Sequence, residues 1–145
     1  MAKVSIYLNF NGNTEEAFNF YEKAFDTKTI GETMRMGDIP PHEGQVELSE
    51  SDKNLIMHTM LELPGGVMLM GTDATGSMGM KVEFGNNIYI NLEPDTRTET
   101  DNLFNKLSEG GKIELQPQEM FWGDYYGSCV DKFGVQWMFN CSSKN

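Results

Sequence analysis

The sequence predicts an α+β fold made of two successive units, each a strand, a helix and three further strands (βαβββ). Three observations predict it. Strand-period alternation begins near residue 3 and again near residue 87, an amphipathic helix with a capping residue follows each time, and strand-like segments joined by turns follow each helix. The 145 residues suit a single domain, read as a first module of about 1–73, a linker of about 74–85 and a second module of about 86–145. With 39% hydrophobic residues the chain has enough apolar surface to offset the entropy of ordering, so disorder is not expected.

From Lys3 to Phe10, Val4, Ile6, Leu8 and Phe10 fall on one face and Ser5, Tyr7 and Asn9 on the other, the period of a half-buried strand. Asn11-Gly12-Asn13 turns the chain. Thr14 is placed to cap a helix with Glu15 and Glu16 in its first turn and Ala17, Phe18, Phe20, Tyr21, Ala24 and Phe25 on its apolar face. Thr27 to Met36 reads as the second strand. Gly37 to Lys53, with Pro40-Pro41, reads as a long exposed loop in which His42 is solvated. Asn54–Leu63 and Val67–Thr72 make a hairpin around Pro64-Gly65-Gly66. Asp73 to Gly85, with Met78-Gly79-Met80, suits a linker or lid.

The order then repeats. Asn87 to Glu93 sets Ile88, Ile90 and Leu92 against Asn87, Tyr89 and Asn91. Asp95 or Thr96 caps a helix running to about Glu109, with Leu103, Phe104 and Leu107 as its stripe and Gly110-Gly111 as its stop. Lys112–Gln118, Tyr125–Asp131 and Val135–Cys141 follow as strands, the last two joined by Lys132-Phe133-Gly134.

Twenty-two acidic residues against eleven basic ones give a net charge of −11, which argues against nucleic acid and anionic membrane surfaces as partners. No stretch reaches the roughly 20 apolar residues of a membrane span, and Met1-Ala2-Lys3-Val4 does not begin a signal peptide, so a cytoplasmic protein is expected. Cys129 and Cys141 fall in predicted strands and form no CxxC pair. They read as buried free thiols.

Three stretches carry a family resemblance: Tyr7-Leu8-Asn9-Phe10-Asn11-Gly12-Asn13-Thr14-Glu15-Glu16-Ala17 through Phe20-Tyr21; Ile56-Met57-His58 with Leu69-Met70 and Asp73; and Phe121-Trp122-Gly123 through Asp131-Lys132-Phe133-Gly134-Val135-Gln136-Trp137-Met138. On these the chain resembles PhnB-like proteins of the glyoxalase/bleomycin-resistance/dioxygenase (vicinal oxygen chelate) superfamily. The resemblance implies an incomplete, barrel-like mixed sheet around a cleft, and a homodimer in which modules can be exchanged between chains. It also brings the label 3-demethylubiquinone-9 3-methyltransferase-like. Gly65-Gly66 and Gly110-Gly111, however, read as turns or helix stops rather than a nucleotide-binding GxGxxG.

Metal-dependent relatives hold one divalent ion with His, Glu or Gln from the first and last strands of each unit, and those side chains point into the cleft. The alternation sends Val4, Ile6, Leu8, Ile88, Ile90, Leu92, Val135, Trp137 and Phe139 under the helices. What remains at the inward positions is Ser5, Met68 or Met70, Asn87 and Met138, a set too soft and too neutral for hard divalent ions. No cofactor and no metal are therefore expected, and no catalytic residue is assigned.

His58 shares a strand face with Met60 and Glu62 and reads as a pocket histidine. The alternative makes His58 and Glu62 ligands of one divalent metal in a lyase, isomerase, dioxygenase or thiol transferase. The pocket expected otherwise has Tyr7, Met68, Met70, Trp122, Tyr125, Tyr126 and Met138 as walls. Asn9, His58, Asn87, Asn91 and Gln136 are its polar handles, a combination suited to a small hydrophobic or aromatic molecule. Trp137 and Phe121 are expected to pack toward the helices or a subunit interface, and Asp131 to brace the following turn.

Overall fold

Among the described residues, eight strands and two long helices appear in the order the alternation predicts. The computed structural model describes residues 1–40, 44 and 47–145, so His42 lies outside the described residues. The chain divides into two compact units, Met1–Val82 and Glu83–Asn145.

In the first unit, β1 (Ile6–Phe10) leads into α1 (Thr14–Phe25), followed by β2 (Met34–Arg35), the single helical turn α2 (Glu50–Lys53), β3 (Ile56–Glu62) and β4 (Met68–Asp73). The four strands form an open sheet in the order β1-β4-β3-β2, with β1 parallel to β4 and the other pairs antiparallel. The helix buries Ala17, Phe18, Tyr21 and Ala24. Phe10, Leu61 and Leu69 are buried with them in the core of this unit.

That packing is tight at one point. A Cβ on Gly71 would lie 2.9 Å from Phe18 Cζ, closer still to Cε2, and 3.1 Å from Thr14 Cγ2. Phe18 is buried and has nowhere to swing. Gly71→Ala is therefore expected to lower stability by about 1–3 kcal/mol, the usual cost of overpacking, read as a lower urea midpoint. An unchanged midpoint would mean that α1 rides further from the sheet.

The second unit repeats the plan with β5 (Ile90–Leu92), α3 (Arg97–Ser108), β6 (Lys112–Glu119), β7 (Tyr125–Val130) and β8 (Gln136–Cys141). Its open sheet has the order β5-β8-β7-β6, again with only the first pair parallel. Thr96 is the N-cap, its hydroxyl accepting from Glu99 N at 3.0 Å, while the Glu99 carboxylate accepts from Asp95 N at 3.0 Å. Phe104 meets Phe139 edge to face at 5.4 Å, and Trp137 is fully buried. Cys129 and Cys141 are buried free thiols. Burial pushes the Cys129 thiol up to about 12, so it stays protonated and inert in the fold.

Several expectations need correction. Thr14 is the first residue of α1 rather than its cap. Asn13 takes the cap position without a side-chain bond, and the Asp73 carboxylate accepts from both Thr14 N (3.1 Å) and Thr14 Oγ1 (2.6 Å). The strand expected over Thr27–Met36 shrinks to Met34–Arg35. Ile30 N still donates to Met60 O and Met36 N to Leu55 O, both at 2.8 Å, but Gly31 at φ +70° takes the chain out of extended geometry between them.

Val4 is 87% exposed and Ile88 73% exposed, so neither packs under a helix as expected. The β1–β4 ladder starts at Ile6↔Leu69, which leaves Val4 beyond it. The β5–β8 ladder starts only at Ile90↔Trp137, and the Ile88 carbonyl is held by a side chain, Gln136 Nε2, at 2.7 Å. Of the two places expected for Phe121, the exposure of 96% rules out only packing toward a helix. The loop reading of 37–53 gives way, among its described residues, to a 3-10 turn at Met36–Asp38 and the helical turn α2, capped by Ser49.

Candidate functional site

In the first sheet, the helix side carries Leu61, Leu69 and Gly71, so the residues between them point the other way. Register sets Tyr7 beside Met70, Met70 beside Met60, and Met68 beside Glu62. Asn9 pairs with Thr72 and is exposed. Five of the residues predicted from sequence, Tyr7, Asn9, His58, Met68 and Met70, thus share one open face.

His58 lies on that face two residues before Met60, and the strand becomes irregular on its other side. Ile56 and Thr59 are both buried, three residues apart rather than two, and the β2–β3 register shifts at the same place. His58 is then aimed at Tyr7, whose Oη lies 3.0 Å from His58 Nδ1, with ring centroids 5.7 Å apart. The hydroxyl donates or accepts according to the imidazole tautomer. Burial raises the Tyr7 pKa, which keeps the phenol neutral.

Thr33 Oγ1 pairs with Thr59 Oγ1 at 3.1 Å, and Arg35 forms an ion pair with Glu15 of α1. Both therefore lie on the helix side of the edge strand. Met34, between them, joins the open face opposite His58. Sequence reasoning missed Met34, because a strand thought to run from Thr27 to Met36 gave no reason to single it out. Glu62 lies on the same face as His58, but four residues along an extended strand is about 13 Å, far longer than the span between two ligands of one ion.

The open face of the second sheet carries Met138, which sits between Asn91 of β5 and Ser128 of β7. Tyr126 pairs with Asn140 and Gln118. Trp122, in the β6–β7 turn, meets Tyr126 edge to face at 5.9 Å and Phe121 at 5.0 Å. Asn140 and Ser128 were not singled out from sequence, although each lies two residues from a recognised position on the same strand face.

Three assignments change. Asn87 lies in the exposed segment before β5 and is not a strand residue, so Asn91 is the amide that neighbours Met138. Tyr125 turns to the helix side, donating to Asp101 Oδ1 at 2.8 Å under the Arg97 guanidinium, 5.0 Å from the ring centroid. The bond to Asp101 raises its pKa. Gln136, expected as a polar handle, spends its amide on the Ile88 carbonyl.

Among the described residues, no three His, Cys, Asp or Glu side chains are grouped so that they could hold an ion. Of the positions that the family resemblance would make ligands, Met68, Met70 and Met138 are strand residues with soft thioethers, whereas Ser5, expected on the first strand, lies before β1. The glycine pairs are structural: Gly65 and Gly66 both have φ +89° in the β3–β4 turn, and Gly110 at φ +73° ends α3.

Residues 2–139 match the family described as 3-demethylubiquinone-9 3-methyltransferase. The chain is 29% identical over 142 residues to protein YjdN of Escherichia coli, covering 94% of this chain and 93% of that one. It is 32% identical to protein PA1353 from Pseudomonas aeruginosa, with 97% and 98% of the two chains covered and a TM-score of 0.81. Against a PhnB protein from Bacillus cereus the identity is 25%, the coverage 97% and 99%, and the TM-score 0.74. Solved structures named as glyoxalase/bleomycin-resistance/dioxygenase proteins share the fold at TM-scores of 0.62 and 0.63.

Proposed function

The chain belongs to the family described as 3-demethylubiquinone-9 3-methyltransferase, PhnB-like proteins of the glyoxalase/bleomycin-resistance superfamily, and from that membership we propose that it captures a small hydrophobic or aromatic molecule on its open sheet faces, without a divalent metal. The observation that carries this reading is the chemistry of the first sheet's open face. Thioethers of Met60, Met68 and Met70 and the Tyr7 ring offer polarizable contact area, and the Tyr7–His58 pair offers one site for a hydrogen bond. A planar molecule with a single ring oxygen matches that pattern.

Methyl transfer is not part of the proposal, because the glycine pairs that might have cradled a nucleotide cofactor serve a hairpin turn and a helix stop. Cytoplasmic location and assembly as a homodimer, with or without exchanged modules, belong to the same reading. A second reading, a metal-dependent lyase, isomerase, dioxygenase or thiol transferase, draws on the Tyr7–His58 bond, since a second partner commonly orients a metal-bound imidazole. The distance between His58 and Glu62 along the strand argues against it.

The test is a thermal-shift screen of planar drugs and quinones, paired with metal analysis after purification in buffers holding Ni²⁺, Mn²⁺ and Fe²⁺. Stabilisation that grows with compound concentration is expected, at about 2.7 kcal/mol when the compound is at 100 times its Kd. A blank screen, together with near-stoichiometric metal that disappears in His58→Ala, would overturn the proposal in favour of the enzyme.

A further inference from the structure

The first sheet gathers more sulfur than an organic pocket requires. Met34 stands opposite His58, Met60 stands opposite Met70, and Met60 lies two residues beyond His58 on β3. Opposed side chains on a sheet have Cβ atoms about 5 Å apart, and residues two apart on a strand are spaced by about 7 Å. Two flexible thioethers and an imidazole, from Met60, Met70 and His58, are therefore within reach of one point above β3 and β4, while Met34, two strands away from Met70 and two residues along, is about 12 Å from it.

The histidine is prepared for the same task. Its Nδ1 is engaged by Tyr7 Oη, while Nε2 has no hydrogen-bond partner among the described residues. In the tautomer whose Nδ1–H donates to Tyr7, Nε2 carries the lone pair a ligand needs and the ring is held by an outer partner, in the manner of metal-bound histidines. Thioether and imidazole donors select soft ions of low charge over the hard divalent ions of the superfamily's enzymes. A net charge of −11 draws cations toward the surface.

We propose that His58, Met60 and Met70 form a binding site for a soft monovalent cation of the copper(I) class on the open face of the first sheet. The site goes beyond organic-ligand capture and does not depend on it. Silver(I) is the redox-inert probe. Purified full-length protein labelled at the methionine methyl groups is titrated with silver nitrate and followed by NMR.

Saturation at one ion per chain is expected, with the methyl signals of Met60 and Met70 moving together. Met60→Leu/Met70→Leu nearly conserves side-chain volume and keeps the fold, and it is expected to weaken silver binding beyond the roughly 10- to 100-fold that an outer partner alone is worth. Tyr7→Phe, which removes only such a partner, should cost about tenfold. The site is overturned if these methyl signals do not move, if silver goes only to Cys129 and Cys141, or if the double variant binds as tightly as the parent. A blank compound screen alongside intact silver binding would sink the organic-ligand proposal alone.

Discussion

Asp131→Ala is expected to destabilise the second unit by about 4 kcal/mol, taking three buried donors at roughly 1–3 kcal/mol each. The carboxylate is buried. Its Oδ1 accepts from Phe133 N at 2.8 Å and Val135 N at 3.0 Å, and its Oδ2 accepts from Trp137 Nε1 at 2.9 Å. The first two bonds shape the β7–β8 turn, where Gly134 takes φ +93°. The third fixes the ring of a fully buried tryptophan. Among the described residues no buried side-chain nitrogen or oxygen lacks a partner, so alanine would create orphans in a core that has none. Denaturant unfolding followed by tryptophan fluorescence reads the effect, because both tryptophans lie in this unit. Asp131→Asn should fall between parent and alanine, since its amide NH2 would face a donor. A loss under about 1 kcal/mol would mean that the turn holds without its carboxylate.

Asp73→Ala is expected to cost the first unit about 3 kcal/mol, from a lost helix cap and a lost strand bond together. One oxygen takes the Thr14 amide and hydroxyl at the start of α1, and the other takes Ile56 N at the start of β3, at 2.8 Å. A single side chain at the end of β4 thereby ties the helix to the sheet. Far-UV circular dichroism during urea unfolding should show helix loss at lower denaturant. Thr14→Val separates the contributions: it removes the hydroxyl bond and leaves the amide bond, so a smaller loss is expected. Equal losses in the two variants would contradict the assignment of a bond to Ile56.

These two carboxylates also show what a sequence reveals and what it hides. Asp131 was readable, because its partners lie within six residues and a following Phe-Gly turn calls for such an acceptor. Asp73 was not, because it caps a helix 59 residues earlier in the chain. Read locally, the cap role falls to Thr14, which is instead the first residue of the helix. Alternation placed the faces of β1, β4 and β8 well, so the open-face residues Tyr7, Met68, Met70 and Met138 were legible. Where the ladders end was not legible: Val4, Ile88 and Asn87 continue the pattern but have no paired strand beside them. Nor was the irregularity at Ile56, which a period of two does not anticipate, although the step of two from Met60 does place His58 on the open face.

Binding of a neutral planar molecule against Tyr7, His58, Met68 and Met70 is tested most directly by methyl-methionine NMR with the compound that stabilises the protein best. The methyl signals of Met68 and Met70 are expected to shift with ring-current sign and to saturate, while the buried Met36 stays still. Shifts confined to methionines outside the open face, or none at saturating compound, would contradict it.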